Sequence, residues 1–297
     1  MTALMTPGQR KQLKRLFEDG ADWALDIVGK ELTQKEAQRV LGRGNELRAN
    51  WPELIRTLAR GRYASEVVPY NFTYPPEFTG LKSIRDQVEV LMQHFPHLDP
   101  TWALEQGQQW YDGLKPNLPD WIEGPLVYIR SGSSYHSALR IILDKLAASR
   151  LLTNYREGQL DSKRLRQTEL TKIMEQKLHA IQPGSFLIVP SQLGIRYRGS
   201  SVRRDRELFI PGEFGHSSLA VSCMVLTHPT RFVRWEQLHA ICAGDEFSPG
   251  ADGVFGMAPY FRFFAGWLEF NTLVVRVPDN SYGSVSAFLP QRLALAL

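Results

Sequence analysis

The feature that most constrains the fold is a change of periodicity near Pro183. Before it, apolar residues recur every three or four positions; after it, they come in short unbroken runs separated by Gly and Pro. A three-to-four spacing lays an apolar stripe along a helix, whereas short runs bounded by turn residues suit buried strands. Lysine usage changes at the same place. Every lysine lies at or before Lys177, and the remainder carries ten arginines. These patterns predict an α+β chain: a mainly helical region over residues 1–182, then a compact, mostly antiparallel β-rich region over 183–297.

In the first region, Pro7 precedes a charged helix over 9–18, broken at Gly20. Thr33 and Glu36 have capping-box spacing, and Asn50 is placed to cap a helix over 51–59. Residues 61–82 differ. Tyr63, Tyr70, Phe72, Tyr74, Pro75, Pro76 and Phe78 predict an extended or loop segment packed on a surface, wrapping its own domain or presenting an apolar patch to a partner. Ser83 and Asp99 are expected N-caps, with Pro100 in the first helical position. Residues 126–130 read as a strand leading through Ser131, Gly132, Ser133 and Ser134 into a helix striped with Tyr135, Ala138, Leu139, Ile142, Leu143 and Leu146. A further helix is expected over 162–179, buried through Leu170, Ile173, Met174 and Leu178. Beyond Pro183, residues 186–189 and 219–226 are expected as buried strands. Residues 261–263 and 267–277 are the expected arms of a hairpin turning at Ala265 and Gly266.

Composition removes several classes. Of 297 residues, 43% are apolar and 22% charged, which excludes intrinsic disorder. Two cysteines exclude a disulfide scaffold. No apolar run suits a secretion signal or a membrane span, so a cytoplasmic protein without membrane contact is expected. A net charge of +4 and a pI near 9.0 permit a polyanionic partner without demanding one.

The densest charge cluster is residues 196–206, where Arg196, Arg198, Arg203, Arg204 and Arg206 face a single aspartate. Guanidinium groups bind phosphate bidentately and stack on bases, so this segment is the candidate contact for nucleic acid or another phosphate-bearing ligand. Acids such as Glu207 and Glu213 are alternative partners for the same arginines. The turn at 131–134 is a lesser anion candidate, or an ordinary serine-capped turn.

Cys242 and His239 are candidate nucleophile and base, sharing a face if their stretch is helical. Together with Cys223 and His228 they make a chemically plausible zinc set, but their spacing matches no common finger. Asp245, Glu246 and Asp252 sit in a Gly/Pro-rich stretch, where carboxylates serve as acid and base, cage calcium, or form a surface turn. The arginine and acidic stretches flank the same apolar runs, so an internal salt-bridge network between them is a further alternative. No dinucleotide fingerprint, P-loop or recognised metal motif is present, and no cofactor or metal is assigned.

Residues 183–291 resemble a group of bacterial proteins of unassigned activity. The resemblance rests on Gly184-Ser-Phe-Leu-Ile-Val-Pro190, Gly199-Ser-Ser-Val-Arg-Arg204, Leu226-Thr-His-Pro229, Cys242-Ala-Gly-Asp-Glu-Phe247 and Tyr282-Gly-Ser-Val-Ser-Ala-Phe-Leu-Pro-Gln291. It implies that the C-terminal region is one unit and carries over no activity. Two functions follow from the residues themselves. One is a non-enzymatic binding protein contacting polyanions through the arginines. The other is a hydrolytic or group-transfer enzyme using Cys242, His239, Asp245 and Glu246.

Overall fold

A computed structural model describes residues 6–8, 10–12, 14–15, 18, 33, 61–132, 134–290 and 293. The chain forms two compact units, Met1–Arg60 and Gly61–Leu297. In the first, the described residues between 7 and 18 are helical, as their charge pattern predicts. The break at Gly20 and the helices expected after Thr33 and Asn50 lie outside the described residues.

The second unit is α+β. Its strands are β1 (Gly124–Ile129), β2 (Leu152–Asn154), β3 (Leu165–Gln167), β4 (Phe186–Gln192), β5 (Glu213–Gly215), β6 (His239–Cys242), β7 (Asp245–Phe247), β8 (Met257–Phe264), β9 (Trp267–Val274) and β10 (Tyr282–Phe288). Its helices are α1 (Ile84–His94), α2 (Thr101–Glu105), α3 (Gly107–Leu114), α4 (Tyr135–Ser149), α5 (Glu169–Ile181), α6 (Val202–Leu208) and α7 (Ser218–Thr227). The strands form one sheet in the order β1-β4-β10-β6-β8-β7-β3, with β5 beside β10, β9 beside β8 and β2 beside β9. Pairing is antiparallel except for β10 with β6 and β2 with β9. β1 pairs with β4, β2 with β9 and β3 with β7, so strands from both sides of Pro183 share the sheet.

Local chemistry explains most of these elements. β4 is buried along its whole length, which suits its unbroken apolar run. Ala265 and Gly266, at φ 50° and 89°, form the two-residue turn joining β8 to β9. Ser83 and Ser134 cap α1 and α4 as expected, and the apolar stripe of α4 faces the core. Asp99 accepts from the Thr101 amide at 3.0 Å, while Pro100 sits one residue before α2.

Two elements depart from expectation. Residues 219–226 are not a strand but belong to α7, a helix buried on every side. An apolar run interrupted only by Ser222 carries no period, so a buried strand and a wholly buried helix read alike. Ser217 decides it by accepting from the Ala220 amide as N-cap. The helix expected at 162 begins at Glu169 instead, capped by Thr168. Asp161 bonds the Lys163 and Arg164 amides in a turn, and β3 then pairs with β7. The buried face of α5 carries Thr171, Met174, Glu175 and Leu178, leaving Leu170 and Ile173 exposed. Among the described residues, no helix is long and apolar enough to cross a membrane.

Candidate functional site

β10 alternates Ser284 and Ser286 with Val285 and Ala287, so its two faces differ in chemistry. The serines meet two buried carboxylates. Ser284 donates to Asp205 at 2.5 Å, and Ser286 donates to Glu213 at 2.8 Å. Ser200 also donates to Asp205, and Tyr197 donates to Glu213 at 2.8 Å. Gln192 joins the layer through the Ser284 carbonyl and the Ser286 hydroxyl, at 2.7 and 2.9 Å. Burial outweighs the hydroxyl donors at Asp205 and pushes its carboxyl up to about 7.

This layer anchors residues 196–206, which are not a loose loop. They comprise a 3-10 turn over Ile195–Tyr197 and the short helix α6, capped by Ser201. The turn lies against β10 so closely that a Cβ on Gly283 would stand 2.1 Å from the Gly194 carbonyl oxygen. Gly283 is required by that contact, and Gly194 by its φ of +118°.

Each arginine except Arg204 has an internal partner for its head group. Arg196 pairs with Glu213 at 3.4 Å and lies over Trp121, 4.2 Å from the ring centre. Arg198 donates to the Ile195 carbonyl at 3.1 Å and stacks 4.4 Å from the centre of Tyr70. Arg203 grips both carboxylate oxygens of Glu66 and stacks 4.2 Å from the centre of Tyr63. Arg206 donates to the Ala243 and Asp245 carbonyls at 2.9 and 2.6 Å and pairs with Glu246 at 3.6 Å. The internal arginine–acid contact weighed from the sequence is thus present. Arg204 differs: its Nη1 is buried without a hydrogen-bond partner.

Tyr63, Glu66 and Tyr70 belong to residues 61–78, which pass through a turn at 62–65 and cross the arginines as a strap. Val68 donates to the Gly199 carbonyl at 2.7 Å, and Ser201 donates to the Glu66 carbonyl at 3.1 Å. A Cβ at Gly199, where φ is +72°, would stand 2.5 Å from the Val68 oxygen. The Arg203 guanidinium holds the Glu66 carboxyl below its ordinary range. Beyond the arginine segment, the strap lays Tyr74 over Arg231 and pairs Glu77 with Arg234.

The proposed Cys242–His239 pair does not form. Both lie on β6, where residues three apart face opposite sides, rather than on a helix. Cys242 joins the main core, and burial pushes its thiol well above the ordinary value. His239 packs between Trp235 and Tyr282, both 5.2 Å between ring centres, with neither ring nitrogen partnered. Burial drives its pKa down to about 3. Cys223 is enclosed in α7 with its thiol pushed up to about 12, and no group of three metal-type ligands assembles among the described residues.

Asp245 and Glu246 are in a strand, not a surface turn. Asp245 is enclosed, accepting from Tyr135 at 2.5 Å and from the Ser218 amide at 2.7 Å. Burial raises it to about 6. Nearby Glu175 accepts from Gln167 at 2.7 Å and Ser217 at 3.1 Å, and burial raises it to about 7. Glu246 pairs with Arg166 at 2.8 Å. Asp252, in the exposed turn that follows, accepts from Ser248 and from the Val254 amide.

The sequence reading did not join Glu66, Tyr63 and Tyr70 to the arginines, nor single out Asp205 and Glu175. The Ser-x-Ser alternation of β10 was the available sign of a polar layer there. No family model, curated protein or solved structure matches the chain.

Proposed function

We propose that the protein binds single-stranded nucleic acid through the arginine segment, and that the strap occupies this surface in cis when no ligand is bound. The observation carrying this reading is the set of partners that the strap supplies. A carboxylate sits bidentate on Arg203, and tyrosine rings lie on the planes of Arg203 and Arg198. Phosphate oxygens and base faces make the same two contacts with arginine.

The contacts that hold the strap over Arg198 and Arg203 are individually weak. Two backbone hydrogen bonds contribute about 1 kcal/mol each. The Arg203–Glu66 pair is partly exposed, and screening holds such pairs to about 1 kcal/mol or less. The two ring contacts add about 0.5–1 kcal/mol each, against the cost of ordering the segment.

The test is anisotropy of a labelled single-stranded oligonucleotide across a salt series. Glu66→Gln/Tyr70→Ala should bind about tenfold more tightly than wild type, with affinity falling as salt rises. Adding Arg203→Ala/Arg204→Ala should remove the gain. Absence of binding by the strap variant at low salt, or binding indifferent to the arginine changes, would refute the reading. Duplex DNA and inorganic polyphosphate serve as comparison ligands.

A further inference from the structure

A second site lies where β1 runs into α4. A cavity of about 290 Å³ opens to the surface there. Phe95, Leu98 and Ile141 give it an apolar wall, and Arg130, His97 and Ser137 also line it. Among the described residues, no carboxylate lines it. Arg130 spends one Nη2 bond on the His179 carbonyl, at 3.2 Å, while its Nε is buried without a partner. Ile141 at the cavity is 48% exposed, a large apolar side chain left facing water.

A guanidinium beside an apolar wall, in a cavity with no carboxylate among its lining residues, has a definite complement in an anion carried on an apolar body. Small-molecule sites combine these features: a mostly apolar lining with a few convergent polar groups that fix orientation. The volume suits a body of roughly ten heavy atoms, taking about 30 Å³ for each water-sized unit.

We infer that this cavity binds a small amphipathic anion, a phosphate monoester or carboxylate on a flat apolar body, with the anion on Arg130 and the body against Phe95, Leu98 and Ile141. Two other cavities are less suited. The one lined by Arg140, Asp144 and Glu157 carries charges of both signs, and the one at Tyr260 and Tyr282 holds Asp279 and no cation. The inference is independent of the arginine segment.

The experiment is an NMR titration of the full chain with phenyl phosphate, benzoate, benzyl alcohol and inorganic phosphate. Saturable shifts confined to residues around Arg130 and Ile141 are expected for the first two, with at least tenfold weaker binding of benzyl alcohol and of inorganic phosphate. Arg130→Gln should weaken phenyl phosphate tenfold or more. Because Arg130 also holds the His179 carbonyl, Ile141→Glu provides a second variant at an exposed position; it places a carboxylate at the wall and should weaken binding similarly. Arg203→Ala/Arg204→Ala should bind the probe as wild type does, which separates this site from the nucleic-acid reading. No saturation by either amphipathic anion at millimolar concentration, equal binding of benzyl alcohol, or indifference to both cavity variants would overturn the inference.

Discussion

Arg203 holds Glu66 by both carboxylate oxygens across 137 residues of sequence. The contact joins the strap to the first turn of α6, where Ser201 also donates to the same carboxylate. Because Arg203 lowers the Glu66 pKa, this contact stabilises the docked strap above the ordinary carboxyl value near 4.5 and is lost as pH falls through the lowered one. Strap docking should therefore weaken in acid. Exchange of the Val68 amide, followed from pH 6 to pH 3 and corrected for intrinsic rates, should show falling protection. In Glu66→Gln, protection should be lower at pH 6 and change little with pH.

The buried acids act in the opposite sense. Glu175 is raised from 4.5 to about 7, so the folded state holds a proton that the unfolded chain releases. Stability is then greatest below the unfolded value, declines as pH rises from about 4.5 to about 7, and is flat above that. Asp245 and Asp205, raised to about 6 and about 7, act with the same sign. Urea unfolding of Glu175→Gln at pH 5 and pH 8 should show a smaller loss of stability than wild type. The difference should be on the order of 2–3 kcal/mol, if the amide keeps its two partners. Equal pH dependence in both proteins would contradict the assignment.

Gly283→Ala tests the seat of the arginine segment. With the Gly194 carbonyl oxygen 2.1 Å from the new Cβ, backbone must move on β10 or on the 3-10 turn. A loss of about 2–4 kcal/mol in urea unfolding is expected, as for other overpacked core positions. Gly256→Ala, which like Gly283 is not at positive φ but has open space around its Cβ position, controls for replacing a glycine without a clash.

Neither cysteine should react with a thiol reagent in the folded protein. Both are buried and free, with thiols raised far from the thiolate form. Labelling with a chromogenic disulfide should proceed only at the unfolding rate, and Cys242→Ser should leave nucleic-acid affinity unchanged. Fast native labelling of Cys242 would reopen a chemical role for it.

What the sequence disclosed follows from how local each signal is. The Ala265-Gly266 turn and the Ser83 and Ser134 caps are specified by neighbouring residues, and they appear where expected. Residues 219–226 were misread because a helix buried on all sides has no polar face to set a period. His239 and Cys242 share a face only on a helix, and their strand separates them. The aromatic-proline segment is a run of turns and irregular backbone with one bridge, within the extended-or-loop reading, but its role depends on Arg198 and Arg203, more than 120 residues away, as the 126-residue span from Phe72 to Arg198 illustrates.

The central claim is that the strap and nucleic acid compete for the same arginines. Hydrogen exchange at the Val68 amide tests it most directly, measured at low salt with and without saturating single-stranded oligonucleotide. Competition predicts that bound nucleic acid deprotects Val68 while leaving amides of β4 unchanged. Nucleic acid that binds with Val68 still protected, or that fails to bind at any accessible concentration, would contradict it.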